Sequence, residues 1–114
     1  MELSTAFGLV LKRLRKQQGL TQEDFSSVSS RTYLSSLERG IKGPTIDKVE
    51  QLASVLDVHP ATILAAAYLI KESGVARRDL VLRIETELKR FELENADIDS
   101  TAMTDQLCEM GRNP

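Results

Sequence analysis

The chain of 114 residues contains one cysteine, Cys108, one histidine, His59, and no tryptophan. A lone thiol closes no intrachain disulfide, which points to a reducing compartment, the cytoplasm. A lone imidazole, with no second histidine and no cysteine cluster, provides no ligand set for zinc, so no metal site is expected. His59 precedes Pro60 and is expected to bond locally in its loop. Long hydrophobic runs are missing too: the most apolar uncharged stretch, about Ala61 to Ile70, is roughly half the ~20 residues a membrane span needs. The N-terminus lacks the charge-then-apolar layout of a signal peptide, so a soluble cytoplasmic chain without a membrane partner is expected. No Ser-His-Asp, Cys-His, paired-carboxylate or Gly-rich phosphate constellation is recognisable, so neither an enzyme nor a cofactor is expected. With 41% hydrophobic and only 4% aromatic residues, the composition suits one small all-helical core.

The formal net charge is −2, which by itself argues against a polyanionic partner. The distribution argues the other way. Residues 1 to 78 hold eleven Lys or Arg against eight Asp or Glu, whereas residues 79 to 114 hold four against nine. The basic excess is modest and falls on the N-terminal part, as an electrostatic footprint should.

That part is organised around Leu20 to Gly40, LTQEDFSSVSSRTYLSSLERG. It reads as two short helices joined by a tight serine-rich turn, the layout of a DNA-reading helix-turn-helix. Thr21 is an N-cap, Asp24 completes a capping box, and Leu20 and Phe25 occupy the staple positions. The second helix is expected from Ser30, a cap residue, to Arg39, with Gly40 available for a left-handed stop. At about 100° per residue, Leu34 and Leu37 face one way, and Arg31, Thr32, Ser35, Ser36 and Arg39 spread over the other side. A merely solvated helix face usually carries Lys and Glu, whereas serine and threonine are poor helix formers. Short hydroxyl side chains let a helix approach a groove closely, and an arginine near its N-terminus matches the O6 and N7 edge of guanine. Arg31, Thr32, Ser35 and Ser36 are therefore the candidate base contacts.

The run Leu14-Arg15, then Gly19-Leu20-Thr21-Gln22, Leu37-Glu38-Arg39-Gly40, Pro44-Thr45 and Leu52-Ala53-x-x-Leu56 resembles the Cro/cI-type, or Xre, phage-repressor family over about residues 5 to 70. Against the family's pattern, the segment between Thr21-Gln22 and Glu38-Arg39-Gly40 is two residues shorter and lacks the glycine common in the turn. The resemblance implies a five-helix phage-repressor-like domain, all-α, here followed by a C-terminal helix. It also implies that Arg15 pairs with Glu38 as a structural ion pair and that Gln22 meets a DNA phosphate. Ser30, Tyr33, Arg39 and Lys42, the last at the tip of the loop after Gly40, complete the candidate phosphate contacts.

The first helix is expected from near Ser4 to Gly19, with Phe7, Val10, Leu11 and Leu14 as its apolar stripe and Lys12, Arg13 and Lys16 on a solvated face. Thr45 caps a core helix whose stripe Ile46, Val49, Leu52, Ala53 and Leu56 should pack inward. Pro60 opens a fifth helix that is apolar on nearly every face to Ile70 and so wants burial on more than one side. From about Ala76 to Glu92 a last helix carries Val81, Ile84, Leu88 and Phe91 at 3, 4, 3 spacing, a short heptad seam. The expected organisation is a DNA-binding domain over 1–73, a dimerisation helix over 74–93, and an acidic, disordered tail over 94–114. Ile63, Ala67, Ile70, Val81, Ile84, Leu88 and Phe91 are the expected homodimer surface. The reading is thus a sequence-specific regulator that occupies an operator in double-stranded DNA. An antitoxin-type module of the same family, neutralising a protein partner, is the alternative.

Overall fold

A computed structural model describes residues 1–93; the stretch from Glu94 onward, with Cys108 and the expected acidic tail, lies outside the described residues. Among the described residues there are five α-helices, one 3-10 turn and no strand. They run α1 Leu3–Gln17, a turn of 3-10 helix Gln22–Phe25, α2 Arg31–Glu38, α3 Ile46–Leu56, α4 Pro60–Lys71 and α5 Arg77–Arg90. One compact unit covers Met1–Val75, and a second begins at Ala76. No single described helix is long and apolar enough to cross a membrane.

Local chemistry sets most of the boundaries. The side chains of Thr21, Ser30 and Thr45 accept the backbone N–H of Asp24, Tyr33 and Lys48, each relieving one of the donors that a helix start leaves free. Asp24 returns the bond to the Thr21 N–H at 2.7 Å, closing the capping box. His59 caps α4, its Nδ1 accepting the Ala61 N–H at 3.0 Å. At the far end of α2, the Gly40 N–H donates to the Leu37 carbonyl at 3.1 Å and the Ile41 N–H to that of Ser36 at 3.0 Å. These paired bonds form a Schellman stop and need a left-handed residue, which Gly40 provides at φ 75°.

The segment before α2 departs from expectation. Instead of an α-helix it holds the single 3-10 turn Gln22–Phe25, and the chain then turns through Ser26 to Ser29. Only residues 22–29 separate the caps Thr21 and Ser30, and turn-favouring serines occupy several of those places. What remains is room for one tight turn. Phe25 is still fully buried, so the staple anchors the shortened segment to the core.

The core of the first unit is Ala6, Phe7, Val10 and Leu11 of α1, Phe25 of the 3-10 turn, Leu34 and Leu37 of α2, Val49, Leu52, Ala53 and Leu56 of α3, and Ile63 and Ala67 of α4. Helix α1 lies against α2 and α4, and α3 against α4. Two expectations need correction. Ile46 is 89% exposed; it shares a face with Val49 but overhangs the core by one turn, beside an open groove lined by Pro44, Pro60 and Leu64. Helix α4 is buried along one side only, through Ile63 and Ala67, and leaves Leu64 and Tyr68 exposed.

Gly8 fixes the distance between α1 and α2. A Cβ there would lie 2.6 Å from the Glu38 carbonyl oxygen and closer still to that of Leu37. Both obstacles are backbone, so neither can rotate away. Gly8→Ala should therefore lose about 1–3 kcal/mol in urea unfolding, as overpacked cores do. In an open helix the same change would gain roughly 1 kcal/mol. A midpoint at or above that of the parent protein would show that α1 can lift off α2 at no cost.

Candidate nucleic-acid interface

Helix α2 presents two chemically distinct sides. Leu34, Leu37 and Glu38 are buried, while Arg31, Thr32 and Arg39 are exposed and Tyr33, Ser35 and Ser36 are half-buried. The candidate base-contact residues Arg31, Thr32, Ser35 and Ser36 thus all lie outside the core, on one short helix. Between Phe25 and Ile46 the sole carboxylate is Glu38, and it is turned inward. Every exposed charge on that stretch is therefore positive.

Glu38 is neutralised by Arg15. Arg15 Nε donates to Glu38 Oε2 at 2.6 Å and its Nη2 to Oε1 at 3.0 Å, a two-pronged pair that fixes direction as well as distance. A third donor, Arg15 Nη1, reaches the Leu20 carbonyl at 3.0 Å. The hydrogen bond to Glu38 holds the Arg15 guanidinium above its ordinary pKa, with burial opposing and the carboxylate's charge reinforcing. Gln22 Nε2 joins the network, donating to Glu38 Oε1 at 3.2 Å. One amide proton of Gln22 is thereby committed inside the domain, and the other is free for a phosphate.

At the start of α2, the Ser30 hydroxyl is the helix cap and accepts the Tyr33 N–H at 3.1 Å. The Tyr33 ring has Lys42 Nζ at 5.8 Å and Lys48 Nζ at 5.7 Å from its centroid, within cation–π range. Lys48 also donates to the Val28 carbonyl. The structure thus brings Tyr33 and Lys42 together and adds Lys48, which sequence reasoning missed. Its position on α3, remote from the motif, carried no signal. Lys12, Arg13 and Lys16 are exposed and border an open groove with Leu9 and Ile70, on the α1–α4 side.

The expected dimer surface is corrected in part. Ile63 and Ala67 have no exposure at all; they face α1 within the core and cannot meet a partner. Ile70 is half-buried, and Val81, Ile84 and Leu88 on α5 and Phe91 at its C-cap are exposed.

A helix-turn-helix family model matches residues 11–63, from the middle of α1 to the first turn of α4. The chain is 43% identical over 60 residues to an uncharacterized HTH-type transcriptional regulator of Sinorhizobium fredii, a match covering 51% of this chain and 78% of that protein. The chain belongs to the Xre-type helix-turn-helix family. It is also 30% identical over 97 residues to the immunity repressor protein of Bacillus phage phi105, covering 79% of this chain and 66% of that protein. Among solved structures, the restriction-modification controller protein C.AhdI from Aeromonas hydrophila superposes with a TM-score of 0.50 at 31% identity, over 53% of this chain and 94% of that one. Membership of this family makes the protein a DNA-binding transcriptional regulator. The matched span contains the Arg15–Glu38 pair and all of α2.

The pair's role as an orienting clasp has a direct test. Arg15→Met or Glu38→Met alone leaves a charge buried without its partner and should cost about 3–5 kcal/mol. Removing both should cost far less than the two single losses combined, because no orphan charge remains. Additive losses in a double-mutant cycle of urea unfolding would show that the two groups act separately.

Proposed function

We propose that the protein occupies an operator in double-stranded DNA by laying α2 in the major groove, in the cytoplasm and as a homodimer. The observation that carries the proposal is the outer side of α2, where small hydroxyl side chains and two arginines stand with no exposed carboxylate from Phe25 to Ile46. Arg31, Thr32, Ser35 and Ser36 read base edges. Gln22, Ser30, Tyr33, Arg39 and Lys42 hold the sugar-phosphate backbone on either side, which sets the register of the helix.

Selection of bound sequences from a random DNA pool tests this reading. An enriched two-fold motif is expected, with half-sites one helical turn, about 34 Å, apart. A pool without enrichment would overturn operator recognition. Within the same experiment, Arg31→Ala should relax the preference at one base pair of each half-site, a loss of about 1–3 kcal/mol per contact. An unchanged profile would remove Arg31 from base readout.

The second copy is supported by α5. That helix of 14 residues has no buried residue and exposes Val81, Ile84 and Leu88, with Phe91 exposed at its C-cap. Its polar side is laced by exposed i,i+4 pairs, Arg83 with Glu87 and Lys89 with Glu85, which add only tenths of a kcal/mol each. An isolated helix this short is marginal in water, so its apolar seam requires a covering surface. In a twofold pair the same seam covers itself. Leu88→Glu should shift the protein to monomer in sedimentation at micromolar concentration and weaken operator binding, while the first unit keeps its unfolding transition. A parent protein that is already monomeric, binding a palindromic operator in two independent steps, would overturn the preformed dimer.

A further inference from the structure

Lys48 stands on α3, outside the helix-turn-helix, and yet its ammonium is held at the mouth of that motif. It lies 5.7 Å from the centroid of the Tyr33 ring, and Lys42 Nζ lies 5.8 Å from the same point. Neither lysine makes an ion pair among the described residues. Two like charges gathered at one ring without a counter-charge repel one another, an arrangement relieved when an anion arrives. The ring is partly buried and packed against the core, on a helix start capped by Ser30. Lys48 is held too: it is half-buried, and one ammonium proton is bound to the Val28 carbonyl. Two protons remain for another acceptor.

We propose that Lys48, Lys42 and Tyr33 form one seat for a phosphate of the DNA backbone at the entrance to α2, with Lys48 also bracing the shortened turn through Val28. This rests on the DNA-binding reading above and adds a contact from outside the motif. An ammonium already held in place gives up little rotamer freedom on binding, whereas Lys42, in an exposed loop, must be ordered. The same ring carries a hydroxyl that can donate a further hydrogen bond to the phosphate. The phosphate thereby ties α3 to α2 across the turn, and seating it presses the recognition helix to its depth in the groove.

The test measures binding of the selected operator against salt concentration, with thermal unfolding of the same variants. Lys48→Gln keeps a donor for the Val28 carbonyl and removes the charge. It should lower the slope of log affinity against log salt by about 0.9, one phosphate's worth, and leave the preferred sequence unchanged. Lys48→Arg should restore the slope. Tyr33→Phe should weaken binding by a factor that salt does not alter, because it removes no charge. A full slope in Lys48→Gln, with a lowered melting temperature and a salt-independent loss of affinity, would reduce Lys48 to a brace and overturn the phosphate seat alone. A parent protein with no salt-dependent affinity for any DNA would overturn the seat together with the reading it rests on.

Discussion

The placement of α2 depends on the buried pair between Arg15 and Glu38. A helix of eight residues does not hold itself together in water, since nucleation costs more than so few hydrogen bonds return. Its stability has to come from outside. Glu38, its last residue, is gripped by two prongs of Arg15 on α1 and by Gln22 on the preceding turn, while the third Arg15 bond runs to Leu20. One guanidinium therefore fixes the end of α1, the entry to the 3-10 turn and the exit of α2 at once. Such a pair contributes little net stability, because desolvating two ions offsets their attraction. Direction is what it supplies.

Gly8 and Gly40 work on the same joint from the backbone side. The pair sets the angle at which α1 meets the end of α2, and the missing Cβ of Gly8 lets the two backbones touch. A Cβ on Gly40 would come within 2.9 Å of Thr5 Cα, so the corner after α2 is seated against the first turn of α1. The N-terminal end of α2 is held differently, by the Ser30 cap and by the Lys48 contact to Val28. Helix α2 is thus clamped at both ends and left free along its outer side, which is the geometry the proposed docking in a groove requires.

Much of this was legible in the sequence because it is local. Caps at Thr21, Ser30 and Thr45, the stop at Gly40 and the apolar stripe of α1 each follow from a residue and its neighbours within one turn. The Arg15–Glu38 contact joins positions far apart in the chain, and only the resemblance pointed to it. What periodicity cannot give is depth. It places Ile46 on the face of Val49 without saying that the core ends one turn earlier, and it marks Ile63 and Ala67 as apolar without saying which partner covers them. The role of Gly8 was invisible for a related reason, since an interhelical distance leaves no local signature. Lys48 likewise acquires its setting only when α3 folds back beside Tyr33. The shortened turn was visible as a gap against the family's pattern, but its resolution into a single 3-10 turn needed the position of Phe25 in the core.

The overall charge of −2 is compatible with DNA binding because the relevant field is local. At physiological ionic strength charges interact over about 8 Å, so the chain-wide sum does not decide the field at α2. Over the stretch that would face DNA, the single acid is consumed by Arg15 and the remaining charges are Arg31, Arg39 and Lys42, joined in space by Lys48. Few cations imply a weak sequence-independent attraction. In the proposed binding mode, discrimination between sites rests on base contacts and on pairing two copies of α2, not on raw electrostatic affinity.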